Sequence, residues 1–203
     1  APRPLVFLGS HDPLLDWALR QSECGVATYF DSSQDGLDRF ADREGVAAGL
    51  HMFDPASDTW NIPAVEQFSG DPVVLLAFAK RRRGLVLRRN LSGQIKGLAD
   101  LTGRTVTPRQ AGAGTRILFD HLLAKAGVSP DGIKLAPVAR SEADAVLEIV
   151  AEDSDATFGL EVLAHRYKLG FIPLIEERFA LLVSRRAYFE PPLQRFVRFL
   201  GTQ

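Results

Sequence analysis

The sequence predicts an α/β fold built as two lobes, and three observations predict it. Short β-rich runs alternate with helical segments nearly throughout the 203 residues, the pattern of largely parallel sheets with crossover helices. The two halves have similar β-α content and are joined through strands near residues 77–88 and 175–183, which makes two crossovers. The apolar content of 46% can bury a sizeable core, as one large domain or two small lobes. The expected lobes are residues 1–79 plus 180–203 and residues 80–179, with a cleft between them that closes like a clamshell. In open α/β sheets, ligands bind at the carboxyl ends of strands, where helix N-termini converge.

In chain order, residues 5–8 read as a strand. Residues 12–21 read as a helix, with Leu14, Leu15, Ala18 and Leu19 at helical spacing. Residues 26–30 form the next strand, and Ser32 or Ser33 can cap a helix over 36–43. Residues 46–53 form a third strand carrying His51. A turn-rich stretch over 54–61 leads to a short helix near 63–67. Residues 73–79 and 85–87 read as separate strands on either side of Lys80-Arg81-Arg82-Arg83-Gly84. The second half adds strands at 105–107, 134–138, 156–160 and 171–174 and helices at 117–126, 142–151 and 161–168. A returning strand over 179–184 precedes a last amphipathic helix over 193–200.

The most informative stretch is Arg109-Gln110-Ala111-Gly112-Ala113-Gly114-Thr115-Arg116. It follows a short strand and opens a helix. Gly112 and Gly114 let the backbone come close to a ligand, and first-turn N–H groups then offer unsatisfied donors at the positive end of a dipole. Arg109, Arg116 and the Thr115 hydroxyl flank this start, and guanidinium forks suit tetrahedral oxyanions and carboxylates. The alternative for Arg116 is an i,i+4 pair with Asp120.

Composition excludes several classes. With 24 basic and 25 acidic residues, the chain as a whole lacks the electrostatics of a nucleic-acid binder. No apolar run approaches the roughly 18 residues of a membrane span. The single Cys24 excludes an internal disulfide and lies at a helix end, where the dipole does not activate a thiol. His11, His51, His121 and His165 lack metal-site spacing, so no metal and no cofactor are expected. There is no Gly-x-Ser-x-Gly elbow, Walker motif or dinucleotide fingerprint. The start Ala1-Pro2-Arg3 reads as a chain cut from something longer, behind either a signal peptide or an upstream domain.

An ordered set of segments carries a resemblance. It comprises Gly9-Ser10-His11-Asp12, Asp35-Gly36-Leu37, Ala48-Gly49-Leu50-His51 with Asn61, and Gly84 to Asn90. It continues with Arg109-Gln110 through Gly114-Thr115-Arg116, then Gly170-Phe171-Ile172-Pro173-Leu174 with Glu177-Arg178. In these the chain resembles the periplasmic-binding-protein-like domain of the type II solute-binding superfamily. That domain occurs in bacterial cytoplasmic regulators behind a DNA-binding helix-turn-helix and in molybdopterin-biosynthesis proteins. Its relatives among solute receptors bind molybdate and tungstate. Two departures stand out: Ala113 where the family usually has Ser, and Arg140-Ser141-Glu142-Ala143 where it tends to place His shortly after the acidic residue.

Each further candidate has two readings. Ser10 either caps the first helix, worth about 1 kcal/mol, or offers its hydroxyl to an oxyanion, as the resemblance implies. Ser32 and Ser33 repeat this at the second strand-to-helix junction. The run 80–83 with Arg88 and Arg89 reads first as a solvated hairpin or hinge, and second as a positive rim that steers an anion; no aromatic residues are interleaved for nucleic acid. His11 reads as a surface neighbour of Asp12 and His51 as a satisfied core histidine. Asn61, Glu161 and Tyr167 are placed to reach the cleft. Glu161 there selects a ligand with donors, or a cation accompanying the anion.

The function expected is a non-catalytic sensor of a small anion in a cytoplasmic transcriptional regulator, with no membrane contact and room for a homodimer. The resemblance implies a molybdate- or tungstate-like oxyanion, or a molybdenum-cofactor-related molecule, and contact with DNA only through an upstream helix-turn-helix. The alternatives are an oxyanion receptor for an ABC transporter and an enzyme on the same fold.

Overall fold

The computed structural model describes residues 2–68, 70 and 72–202. The elements run β1 (Val6–Gly9), α1 (Pro13–Gln21), β2 (Ala27–Thr28), α2 (Ser33–Ala41), β3 (Ala47–Leu50), β4 (Phe53–Asp54), β5 (Thr59–Trp60), α3 (Ile62–Val65) and β6 (Val73–Leu87). They continue with β7 (Thr105–Thr107), α4 (Gly114–Lys125), β8 (Lys134–Leu135), α5 (Glu142–Val150), β9 (Ala156–Leu160), α6 (Glu161–Arg166), β10 (Gly170–Ser184), α7 (Arg185–Tyr188) and α8 (Pro191–Leu200). The chain divides into two compact units, Ala1–Ala79 with Arg178–Gln203, and Lys80–Glu177.

In the first unit the strand order is β2-β1-β3-β10. β1 is parallel to β2 and β3, while β10 is antiparallel to β3. Alternation along the strands separates two apolar layers. Phe7, Leu181 and Val183 face Leu15, Ala18, Leu19 and Phe196. Leu8, Ala48, Leu50 and Leu182 pack with Leu37 and Phe40 on the other side. Pro13 opens α1, and the Asp12 carboxylate accepts from the N–H groups of Leu14 and Leu15. Asp12, not Ser10, is therefore the cap of this helix. α2 crosses β1 at two glycines: a Cβ on Gly36 would collide with the Gly9 backbone, and Gly9 itself holds φ +83°.

In the second unit the order is β6-β9-β7-β8. β7 is parallel to β8 and β9, and β6 is antiparallel to β9. Phe119 of α4 stacks on Phe158 of β9 with centroids 5.2 Å apart. Val146 of α5 packs with Val86 and Ala164.

Several boundaries differ from the sequence reading. Residues 73–79 and 85–87 are one strand, β6, that continues through the basic run; residues 171–174 and 179–184 are likewise the single strand β10. The basic run is thus no hairpin: it lies within one continuous strand. Its side chains alternate between two faces of an extended strand, Lys80 and Arg82 exposed, Arg81 half-buried and Arg83 buried. α2 and α4 begin three residues earlier than the apolar pattern suggested, because a first helical turn need not contribute apolar residues. β3 ends at Leu50 and leaves His51 outside the strand.

Gly36→Ala is expected to lower the unfolding free energy by about 2 kcal/mol through overpacking against fixed backbone. Urea denaturation checks this, and an unchanged midpoint would contradict it.

Candidate functional site

The loop that leaves β7 is held by its own backbone and by Arg109. Ala113 N–H donates to the Gln110 carbonyl at 2.9 Å, closing a turn before the helix. Arg109 donates through Nε to the Ala139 carbonyl at 3.2 Å and through Nη2 to the Arg140 carbonyl at 3.0 Å. Its guanidinium therefore ties the loop to the segment that precedes α5. α4 starts with Ala113 as an extended N-cap, and no side chain caps it. A helix start of this kind leaves first-turn N–H groups without intrahelical partners. Gly112 is exposed and Gly114 partly so, leaving room beside the backbone.

Thr115, 3% exposed, donates its hydroxyl to Glu142 Oε1 at 2.8 Å. Glu142 is the first residue of α5, whose start is already satisfied by a capping box: Ser141 Oγ accepts from Asp144 N–H at 3.0 Å, and Asp144 accepts from Ser141 N–H at 3.1 Å. The Glu142 carboxylate is therefore not needed for capping. It also accepts from Arg83 Nη1 at 2.8 and 3.1 Å and lies 3.6 Å from Arg109 Nη1.

Arg83 is fully buried, and so is its second partner, Glu177. Glu177 takes Arg83 Nε on one oxygen and Arg81 Nε, at 2.8 Å, on the other. The Phe158 ring lies under the Arg83 guanidinium at 5.6 Å. Burial pulls the Arg83 proton affinity down, but the charges of Glu142 and Glu177 outweigh it and hold the guanidinium more firmly protonated than usual. Burial likewise pushes the Glu142 carboxyl up. Arg83, Arg109 and the Thr115 hydroxyl overcome that, leaving it below the usual carboxylate range despite the nearby Glu177.

The expected site residues fall into separate groups. Arg109, Gly112, Gly114 and Thr115 lie together at the start of α4. Arg116 is turned along the helix to Asp120 at 2.9 Å, the i,i+4 alternative. Glu161 pairs with Arg82 at 2.8 Å, and Lys80 with Glu176 at 3.1 Å. The basic run is therefore matched by acidic partners and is no free positive rim. In the first unit, Ser10 and Ser33 hydrogen-bond each other at 2.8 Å, and Ser33 also accepts from His51 N–H at 3.1 Å. Ser32 caps α2 by accepting from Asp35 N–H at 3.0 Å. Asn61 bonds Met52 N–H and the Arg178 carbonyl, an internal role. His51 stacks on Phe179 at 6.0 Å.

Arg81, Arg83, Glu142 and Glu177 were missed as site residues. Arginines two apart in an extended run were the available signal for Arg81 and Arg83. Among the described residues, no group of three or more His, Cys, Asp or Glu is placed to hold a metal, and no helix is long and apolar enough to cross a membrane.

A known family, the PBP superfamily domain, matches residues 16–201. The chain belongs to the PBP-like family. This PBP-like chain is 25% identical over 193 residues to the uncharacterized protein YvgK of Bacillus subtilis (strain 168), covering 91% of its own length and 62% of that relative. It therefore spans less than two thirds of the relative it matches. The effector-binding domain of QuiR in complex with shikimate superposes with a TM-score of 0.64 at 16% identity, over 96% of this chain and 92% of that one. CbnR, a LysR family transcriptional regulator, gives 0.63 at 14% identity over 97% and 68%. These likenesses show the fold: α/β, mixed sheets flanked by helices, the type II arrangement expected from the sequence.

Two outcomes follow for the ionic network. Glu177→Ala leaves two guanidinium groups without their shared carboxylate, and a loss of about 3–5 kcal/mol is expected in chemical denaturation; a loss near the roughly 0.5 kcal/mol of a surface change would contradict it. Glu142, lowered in the fold, contributes its full stabilisation above the unfolded value of about 4.3. It loses that contribution as pH falls through the folded value, because the unfolded chain binds the proton first. Glu142→Gln is expected to flatten the acid limb of stability against pH, and equal slopes in both proteins would contradict this.

Proposed function

We propose that this domain senses a small anion without transforming it, and that the anion sits at the start of α4. The observation that carries this reading is the absence of a side-chain cap there, next to a buried Thr115 hydroxyl and the Arg109 guanidinium. First-turn amides, the dipole and a cation then act together on one negative group. On this reading the contacts come from the backbone of Gly112 to Thr115, the Thr115 hydroxyl and Arg109, which lie together at this helix start.

The ligand class is an oxyanion of the sulfate, phosphate, molybdate or tungstate kind, a molybdenum-cofactor-related molecule, or a carboxylate such as the shikimate bound by QuiR. The domain works in the cytoplasm as the sensing part of a transcriptional regulator. The fold likeness to CbnR and the extra length of YvgK support an attached DNA-binding segment. Binding shifts such a regulator only by the difference in affinity between its states.

A thermal-shift panel of sulfate, phosphate, molybdate, tungstate and shikimate tests the reading. At least one is expected to raise the midpoint selectively by mass action. Arg109→Ala and Thr115→Ala are expected to remove that rise, the latter costing about 1 kcal/mol of stability by itself for its lost hydrogen bond. No selective rise, or the same rise in both variants, would contradict it.

A further inference from the structure

Glu142 places a carboxylate on the donors that an incoming anion needs. Its Oε1 accepts the Thr115 hydroxyl and Arg83 Nη1, both at 2.8 Å, and lies 3.6 Å from Arg109 Nη1. A hydroxyl and two guanidinium groups converging on one carboxylate oxygen are the donor set of an anion site. Helix capping does not explain the arrangement, since Ser141 and Asp144 satisfy the start of α5. In addition Arg83 Nη2, on a side chain with no exposed surface, has no hydrogen-bond partner among the described residues. A buried guanidinium N–H without an acceptor marks a place where one more acceptor belongs. Glu142 itself is 25% exposed and stands on the first turn of its helix, so one side of its side chain already meets water.

We propose that Glu142 is a built-in competitor: its carboxylate holds the Thr115, Arg109 and Arg83 donors until a ligand's anionic group displaces it. This rests on the anion-sensing reading above. With Glu142 turned out, the Thr115 hydroxyl and the Arg83 and Arg109 guanidinium groups are open to an oxyanion in its place. The competitor also keeps the site from retaining weakly bound anions, because the apparent affinity is reduced by the fraction of molecules in which the donors are open.

Calorimetric titration with sodium sulfate and sodium molybdate, at constant ionic strength, tests this on the wild type, Glu142→Gln, Glu142→Asp and Glu148→Gln. Glu142→Gln is expected to bind the preferred anion about tenfold tighter than wild type, the gain for a competitor seated about nine-tenths of the time. Glu142→Asp, with its carboxylate drawn back from Thr115, is expected to fall between them. Glu148→Gln removes the same charge from α5 without touching these donors and is expected to match wild type. Equal or weaker binding by Glu142→Gln, or an equal gain in Glu148→Gln, overturns the proposal while wild-type binding leaves the anion reading standing. Binding by Glu142→Gln alone supports both, and no binding by any of the four proteins overturns both. If Glu142→Gln does not fold, Glu142→Asp decides, with tighter binding supporting the competitor and equal or weaker binding overturning it.

Discussion

A guanidinium sealed from water is stable only where carboxylates come to it, and in this domain that requirement falls on Arg83. Its two partners arrive from distant parts of the chain, Glu177 from the middle of β10 and Glu142 from the first turn of α5. Breaking such a buried pair costs far more than breaking a pair at the surface. The position of α5 relative to β6 is thereby fixed, and through Thr115 so is the start of α4. The stretch singled out as a binding loop is thus one end of a buried ionic network, and its geometry depends on residues that share no local motif with it.

This has a chemical consequence. A helix start beside free arginines would attract any anion. Here Arg116 is matched by Asp120, Arg109 is tied to two carbonyls, and Glu142 stands among the donors. On the proposed reading, what remains attractive is a small set of amides with the Thr115 hydroxyl and the Arg109 guanidinium. On the same proposed reading, selectivity comes from how well a ligand replaces the Glu142 carboxylate, more than from net charge. Membership of the PBP-like family gives the frame on which this is built, and a shared frame hosts many ligands.

Much of the frame was legible. The strands at Thr105–Thr107 and Ala156–Leu160 match the sequence reading to the residue, because short apolar or β-branched runs between turn signals have one plausible state. The Ser32 cap and the Arg116–Asp120 pair followed from rules that act within four residues. The basic run over residues 80–83 did not. Four consecutive charges read as solvated, and the burial of Arg81 and Arg83 became intelligible only with Glu177, which lies 96 positions from Arg81 and between two expected strands that are one. Glu142 was visible only as a departure from the family pattern. Its role depends on three donors brought together by the fold, and no spacing in the sequence encodes that meeting.

The central claim is that a negative group is held at the start of α4. Tungsten scatters anomalously, so a tungstate soak of crystals of this domain locates an oxyanion directly. The account predicts an anomalous peak within hydrogen-bonding reach of the Gly114 and Thr115 amides and the Thr115 hydroxyl. A peak confined to other surfaces, with Glu142 still seated on Thr115, would contradict it.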